Sequence, residues 1–184
     1  AIYGSGFQTE LSTALFWRIV PQDQIEKVAH NLAKKVISDN YHIDVGLLGS
    51  KAILNALSEN GYPDLAYQVA TQEDFPSWGV WIKDGATTLY EDWKVDEDRK
   101  GAMSRNHIMF GEISAWFYKS LGGIKPDQNQ PGFKNILLEP HFVDGLDKFN
   151  AQHKGPYGTI KSSWIKNNDK VKYDLVVPTN SLSL

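Results

Sequence analysis

The 184-residue sequence contains no cysteine, which excludes disulfide bonds and thiolate metal sites. It also lacks a basic excess: 19 lysines and arginines stand against 22 acidic residues, so we expect no nucleic-acid partner. No apolar run approaches the length of a membrane span, so we expect no membrane partner. The first residues have neither a basic start nor an apolar core, so no signal peptide is visible, and the sequence leaves the compartment open between cytoplasmic and secreted.

Aromatic residues are abundant, at 12% of the chain, and they crowd around residues 75–93 and 110–118. Core packing accounts for most aromatic side chains in folded proteins. Aromatic rings beside acidic residues in loop-like sequence also suit a sugar-binding site. The histidines outside this region have no metal-ligand spacing, so we expect no metal and no cofactor. These are His30, His42, His141 and His153.

The first two-thirds of the chain has helical periodicity. Apolar residues at helical spacing predict helices over residues 8–19, 22–38, 50–59 and about 107–121, and another that starts at Pro63. Short links between several of them favour antiparallel helix pairs. A segment of about 35 residues, 72–106, separates the last two helices, and loops of this length in compact domains are usually functional or disordered. Its tryptophans argue against disorder, so we place the candidate site there.

After residue 124 the pattern changes. Residues 125–134 contain two prolines, polar residues and a glycine, which is typical of a linker. Short runs of strand composition follow at 136–138, 158–165 and 171–177, with a hairpin turn predicted at 167–169. We therefore expect a helical domain at 1–124, a linker at 125–134 and part of a β-domain at 135–184.

Four sequence blocks, in this order and spacing, carry a family resemblance. They are residues 61–67 (GYPDLAY), 75–79 (FPSWG), 85–93 (GATTLYEDW) and 104–111 (SRNHIMFG). Residues 45–49 (VGLLG) and, in the tail, 156–160 (PYGTI) with Trp164 fit the same pattern. Together they resemble bacterial α-L-rhamnosidases over nearly the whole chain. The combination is specific, although each block alone is a weak signal.

The resemblance implies a mainly helical fold, the second half of an (α/α)6 barrel, followed by part of a small antiparallel β-sandwich. It also implies hydrolysis of terminal α-L-rhamnose with inversion at the anomeric carbon. Inversion needs a carboxylic acid and a carboxylate base on opposite faces of the sugar, about 6.5–9.5 Å apart. Glu91 stands at the position of the family's base. From residue types alone, a solvated loop carboxylate among Asp92 and its acidic neighbours is the simpler interpretation, and the four ordered blocks favour the base.

His107 stands where the family has a histidine that binds the sugar near the base, and a neutral imidazole can donate to a hydroxyl. Trp78 is a candidate platform for the apolar face of a 6-deoxy sugar, with Trp81 and Trp93 as alternatives. Packing would explain Trp81 or Trp93 equally well. The expected partner molecule is a rhamnosylated small molecule or oligosaccharide.

The resemblance places the general acid in an acidic, arginine-rich motif upstream, and nothing in residues 1–60 matches that motif. We therefore expect this chain to hold only the base and to need the upstream part of the same enzyme as a partner. Two alternatives stay open from the sequence. The chain could be a non-catalytic carbohydrate-binding or structural fragment, or part of an (α/α)6 hydrolase or phosphorylase acting on another sugar.

Overall fold

The computed structural model describes residues 3–94, 103–168 and 170–183. The described helices come first and the strands follow. The helices are α1 (Gln8–Phe16), α2 (Ile25–Ser38), α3 (Leu47–Glu59), α4 (Pro63–Ala70), α5 (Trp78–Lys83) and α6 (Glu112–Trp116). The strands are β1 (Ile124–Pro126), β2 (Asn135–Leu138), β3 (Lys148–Gly155), β4 (Gly158–Asn167), β5 (Lys170–Val176) and β6 (Leu182–Ser183). In the part of the chain that is described, no helix is long and apolar enough to cross a membrane.

The chain divides into two compact units, residues 1–113 and 114–184. In the first unit α3 is the central helix, because it packs against both α1 and α4. Its residues from Ala52 to Ser58 are all buried. Close approach at its first turn requires Gly49, where a Cβ atom would lie 2.6 Å from Val45 Cβ and 2.7 Å from Thr9 Oγ1. A larger residue at 49 would push α1 and the preceding loop away from α3.

A buried glutamine joins α1 to the loop that follows α2. Gln8 is fully buried, and its Nε2 donates to Asp39 Oδ2 at 2.7 Å and to the His42 carbonyl at 2.9 Å. Its Oε1 accepts a hydrogen bond from the Asp44 amide at 2.9 Å. A buried amide is costly unless its donors and acceptor are satisfied, and these three bonds satisfy them.

The predicted helices are present, with different ends. The first stops at Phe16, because Arg18 adopts a left-handed φ of 56°. The third begins three residues early, at Leu47. The predicted helix over 107–121 is wrong as a single α-helix: it consists of a 3₁₀ turn (Ile108–Phe110), α6, and a π-helical turn (Phe117–Leu121).

The second unit contains two three-stranded sheets, β1-β2-β6 and β3-β4-β5. All pairs are antiparallel except β2 with β6. A core of four buried residues includes a member from each of the first four strands, with partly buried apolar side chains around it. The four are Ile124, Ile136, Ala151 and Ile160. The predicted hairpin between β4 and β5 is confirmed, with Asn167 paired to Lys170 and Asn168 at a φ of 52°; Asp169 lies outside the described residues.

One strand starts earlier than the sequence predicts. We expected strands only after residue 134, but β1 (Ile124–Pro126) pairs with β2 at the start of the segment interpreted as a linker. Pro126 is compatible with this because it ends the strand and β1 is an edge strand, where a missing N–H is tolerated. The division at 124, 125–134 and 135 stays a prediction.

Candidate functional site

The long segment after α4 is anchored at its start. His42 Nε2 lies 2.8 Å from Asp74 Oδ1, and this hydrogen bond, with the neighbouring charge of the histidine, lowers the pKa of the Asp74 carboxyl. Four residues further on, at Trp78, a short helix that the sequence did not predict begins. Its N-cap is Ser77, whose Oγ accepts a hydrogen bond from the Val80 amide at 3.0 Å. This helix, α5, carries Trp78 and Trp81 into the interior.

The three tryptophans predicted for the site lie together. The ring of Trp93 stacks on Trp81 with centroids 4.7 Å apart and meets Trp78 edge-on at 5.1 Å. Phe110 closes the cluster, 4.0 Å from Trp93. Tyr90 is 5.4 Å from Trp81, so the segment that carries Glu91 is tied to the same cluster.

Glu91 and His107 lie on two backbone segments that hydrogen-bond to each other. The Glu91 amide donates to the Ser104 carbonyl at 2.9 Å, and the His107 amide donates to the Leu89 carbonyl at 2.9 Å. The first bond joins residues 13 positions apart in the sequence and the second joins residues 18 apart. Together they place Glu91 and His107 on one short ladder of backbone hydrogen bonds. Both side chains are half-buried. Residues 95–102, between the segments, lie outside the described residues.

The Glu91 carboxylate is held through one oxygen. Its Oε2 accepts a hydrogen bond from the Ser104 backbone amide at 2.9 Å. Among residues 3–94 and 103–168, none donates a hydrogen bond to Oε1. A carboxylate oriented in this way presents one oxygen to a bound water or hydroxyl.

His107 caps the 3₁₀ turn that follows it. Its Nδ1 accepts a hydrogen bond from the Met109 amide at 3.0 Å, so Nδ1 carries no proton. A neutral imidazole then carries its proton on Nε2, which becomes a hydrogen-bond donor. The cap therefore selects the tautomer.

A cavity of about 410 Å³, a size typical of small-molecule sites, is lined in part by Ile108 and Met109, and its lining residues include neither Glu91 nor His107. Apolar side chains dominate its lining, and Lys51 and Glu112 add charge. Lys51 Nζ lies 3.2 Å from Glu112 Oε2, and buried Asn55 donates to Glu112 Oε1 at 3.1 Å. The remaining lining residues are Trp17, Leu47, Leu48 and Gly111.

Comparison with known proteins identifies the family. Residues 1–121 match the model of the bacterial alpha-L-rhamnosidase 6 hairpin glycosidase domain. Residues 123–183 match the bacterial alpha-L-rhamnosidase C-terminal domain. The chain belongs to the bacterial α-L-rhamnosidase family. Its fold is accordingly a mainly helical part of a six-hairpin barrel followed by a small β-domain, as the resemblance implied.

Individual relatives agree with the family match. The chain is 33% identical to an alpha-L-rhamnosidase of Alteromonas sp. (strain LOR), over 97% of this chain and 20% of that protein. A solved alpha-L-rhamnosidase from Dictyoglumus thermophilum is 34% identical, with a TM-score of 0.89 over 96% of this chain and 20% of that one. The alpha-L-rhamnosidase of Streptomyces avermitilis, solved in complex with L-rhamnose, is 25% identical, with a TM-score of 0.89 over 100% of this chain and 19% of that one. The chain thus spans about a fifth of the length of the relatives that it matches.

In this rhamnosidase-family chain, two of the predicted sugar platforms are interior residues. Trp78 is 5% exposed and Trp81 is 2% exposed. Their indole N–H groups donate to the carbonyls of Phe110 and Trp93, each at 3.1 Å. This burial and these bonds are what the packing interpretation predicts, and contact with a sugar stays a prediction for both residues. Trp93 is half-buried, and its indole donates to the Val45 carbonyl at 3.0 Å.

The polar group beside the cavity was missed by the sequence reasoning. Asn55 lies within a run of buried residues on α3, so its position among inward residues was the available signal. Lys51 and Glu112 gave no such signal in the sequence, because lysine and glutamate are common in helices. Within the described ranges, no group of three or more metal-ligating residue types is arranged to hold a metal ion.

Proposed function

We propose that this chain is part of a glycoside hydrolase that removes terminal α-L-rhamnose by single-displacement, inverting hydrolysis, with Glu91 as the general base. The observation that carries the proposal is the Glu91 carboxylate, which in a chain of this family is fixed at Oε2 by the Ser104 amide and has no donor to Oε1 among the described residues. The base removes a proton from water as the water attacks the anomeric carbon. The acid that protonates the leaving oxygen belongs to the upstream part of the enzyme, about 6.5–9.5 Å from Glu91.

We assign the sugar-binding groups with the support of the same geometry. Because Nδ1 of His107 is occupied by the Met109 amide, its Nε2–H is the group we assign to a sugar hydroxyl. Trp93 is the tryptophan we assign to a direct sugar contact, whereas Trp78 and Trp81 support it from the interior. In this proposal residues 1–124 supply the barrel part and 135–184 the β-domain.

The direct test uses an enzyme of the relatives' length that contains this chain. Its substrate is an aryl α-L-rhamnoside. We expect release of the aglycone, and proton NMR at early times should show rhamnose first as the β-anomer, the product of inversion. Initial release of the α-anomer would contradict the single-displacement mechanism. Hydrolysis of other aryl glycosides in preference to the rhamnoside would contradict the substrate.

His107→Ala in that enzyme should weaken binding of the rhamnoside by about 1–3 kcal/mol, because a buried sugar hydroxyl loses its donor. The measurement is the KM or the dissociation constant for rhamnose. His107→Asn is the matched control: its side-chain oxygen can still cap the Met109 amide, but it places no donor at the Nε2 position. Recovery of normal affinity in the asparagine variant would show that His107 acts only as a cap.

A further inference from the structure

The charge of the chain is unevenly distributed. Residues 114–184 carry nine lysines against six acidic residues, a net charge of +3, whereas residues 1–113 carry ten basic and sixteen acidic residues, a net charge of −6. The excess of lysine in the second unit is not spread evenly over its surface. Much of it lies on one face of the sheet β3-β4-β5.

The register of the sheet defines this face. Side chains alternate along a strand, and paired residues share a face. On β4, the buried Ile160, Ser162 and Trp164 point to the core, so the residues between them point outward. Applying the pairings to β3 and β5 gives the outward residues, which we call the lysine face. It consists of Lys148, Asn150, Gln152, Lys154, Thr159, Lys161, Ser163, Ile165, Asn167, Lys170, Lys172, Asp174 and Val176.

The lysine face has the properties of an anion-binding surface. It holds five lysines, all exposed, and one carboxylate, Asp174, whose Oδ2 lies 2.9 Å from Lys172 Nζ. Lys148 and Lys172 flank Ile165 in one row, so their backbones are about 10 Å apart, and Lys161 lies about 13 Å further along β4. The face has no aromatic side chain, so a neutral sugar finds no stacking platform there.

We infer that the lysine face binds an acidic polysaccharide, whose carboxylate or sulfate groups pair with Lys148, Lys161 and Lys172. This rests on the proposed function, which makes the natural ligand a saccharide. The spread of the three ammonium groups fits an extended polymer with repeated negative charge better than a single small anion. Asn150, Gln152 and Ser163, which lie between them, are suited to bonds with sugar hydroxyls. The face would hold a charged substrate polymer near the enzyme while the rhamnosyl end is cleaved elsewhere.

Affinity electrophoresis of the full enzyme in gels containing polygalacturonate, dextran sulfate or neutral dextran tests this. We expect retardation by one or both acidic polymers, weakening steeply with salt, and none by neutral dextran. The triple variant Lys148→Gln, Lys161→Gln, Lys172→Gln should lose about tenfold or more in affinity. The control is Lys27→Gln, Lys34→Gln, Lys83→Gln, which removes the same charge from exposed sites in the first unit and should stay within about twofold.

Hydrolysis of a small aryl rhamnoside separates this inference from the proposed function, and it should be unchanged in both triple variants. An active enzyme that neither acidic polymer retards, or that loses no more affinity in the lysine-face variant than in the control, overturns the inference alone. Stronger binding to duplex DNA or to anionic lipid vesicles than to both polysaccharides also overturns it. Retardation without any rhamnoside hydrolysis supports the surface and contradicts the proposed activity.

Discussion

Glu91→Gln, in an enzyme of the relatives' length, should lower the turnover of an aryl α-L-rhamnoside by about 10²–10⁴-fold, the usual contribution of general base catalysis. The amide keeps the size of the carboxylate and can still accept the Ser104 hydrogen bond through its oxygen. It cannot take a proton from the attacking water. Because the substitution leaves the sugar contacts in place, the affinity for rhamnose should stay within about tenfold. The measurements are kcat with the aryl rhamnoside and the dissociation constant of rhamnose.

Asp92→Asn provides the matched control for this experiment. Asp92 is the next residue, is exposed, and undergoes the same loss of one negative charge. Its Oδ1 accepts a hydrogen bond from the Lys94 amide at 3.3 Å, which an asparagine can retain. We expect near-normal turnover for this variant. Full activity in Glu91→Gln, or equal losses in the two variants, would rule out Glu91 as the base.

Trp81→Ala should lower the free energy of unfolding of the helical unit by about 3–5 kcal/mol, the range for removing a large buried aromatic side chain. Trp81 is 2% exposed, contacts Tyr90, Trp93 and Phe110, and donates its indole N–H to the Trp93 carbonyl. The truncation leaves both a cavity and an unpaired carbonyl. Urea unfolding followed by fluorescence of the remaining tryptophans measures the loss.

Ile82→Ala, at the next position of α5, controls for the loss of helix residues. Ile82 is 73% exposed, so its truncation should change stability by about 0.5 kcal/mol or less. The two variants also separate packing from sugar stacking at position 81. One outcome would contradict the packing interpretation: the two variants are equally stable, and only Trp81→Ala raises the KM for the rhamnoside. Trp81 would then contact the substrate in the active enzyme.

Helices with a clear apolar stripe were predictable from the sequence, and strands with mixed faces were not. Both α2 and α4 follow the predicted segments because apolar residues recur at helical spacing and Pro63 opens the second of them. Strand β3 was missed because it alternates polar and half-buried residues, and Ala151 is its only fully buried side chain. The short α5 was missed because a helix of six residues gives too little periodicity.

The candidate site was predictable as a set of residues but not as an arrangement. The resemblance selected Glu91, His107 and the tryptophans, and the structure places these tryptophans in one cluster and the other two residues on one ladder. The buried indole N–H groups of Trp78 and Trp81 donate to the backbone carbonyls of Phe110 and Trp93. Backbone partners of this kind cannot be predicted from residue types. The same applies to the tautomer of His107, which a backbone amide fixes.

The bond that orients Glu91 comes from the main chain of residue 104, and this affects how the position tolerates change. Every amino acid except proline has the amide N–H that Oε2 needs. Substitutions at position 104 can therefore change the side chain and still leave the Glu91 carboxylate in place, provided that the backbone of residues 104–106 keeps its shape. Ser104 Oγ does contribute to that shape, accepting from the Asn106 amide at 3.1 Å. A comparison of residue types among relatives would therefore not reveal the importance of position 104, because its contribution comes from the backbone amide and not from the side chain.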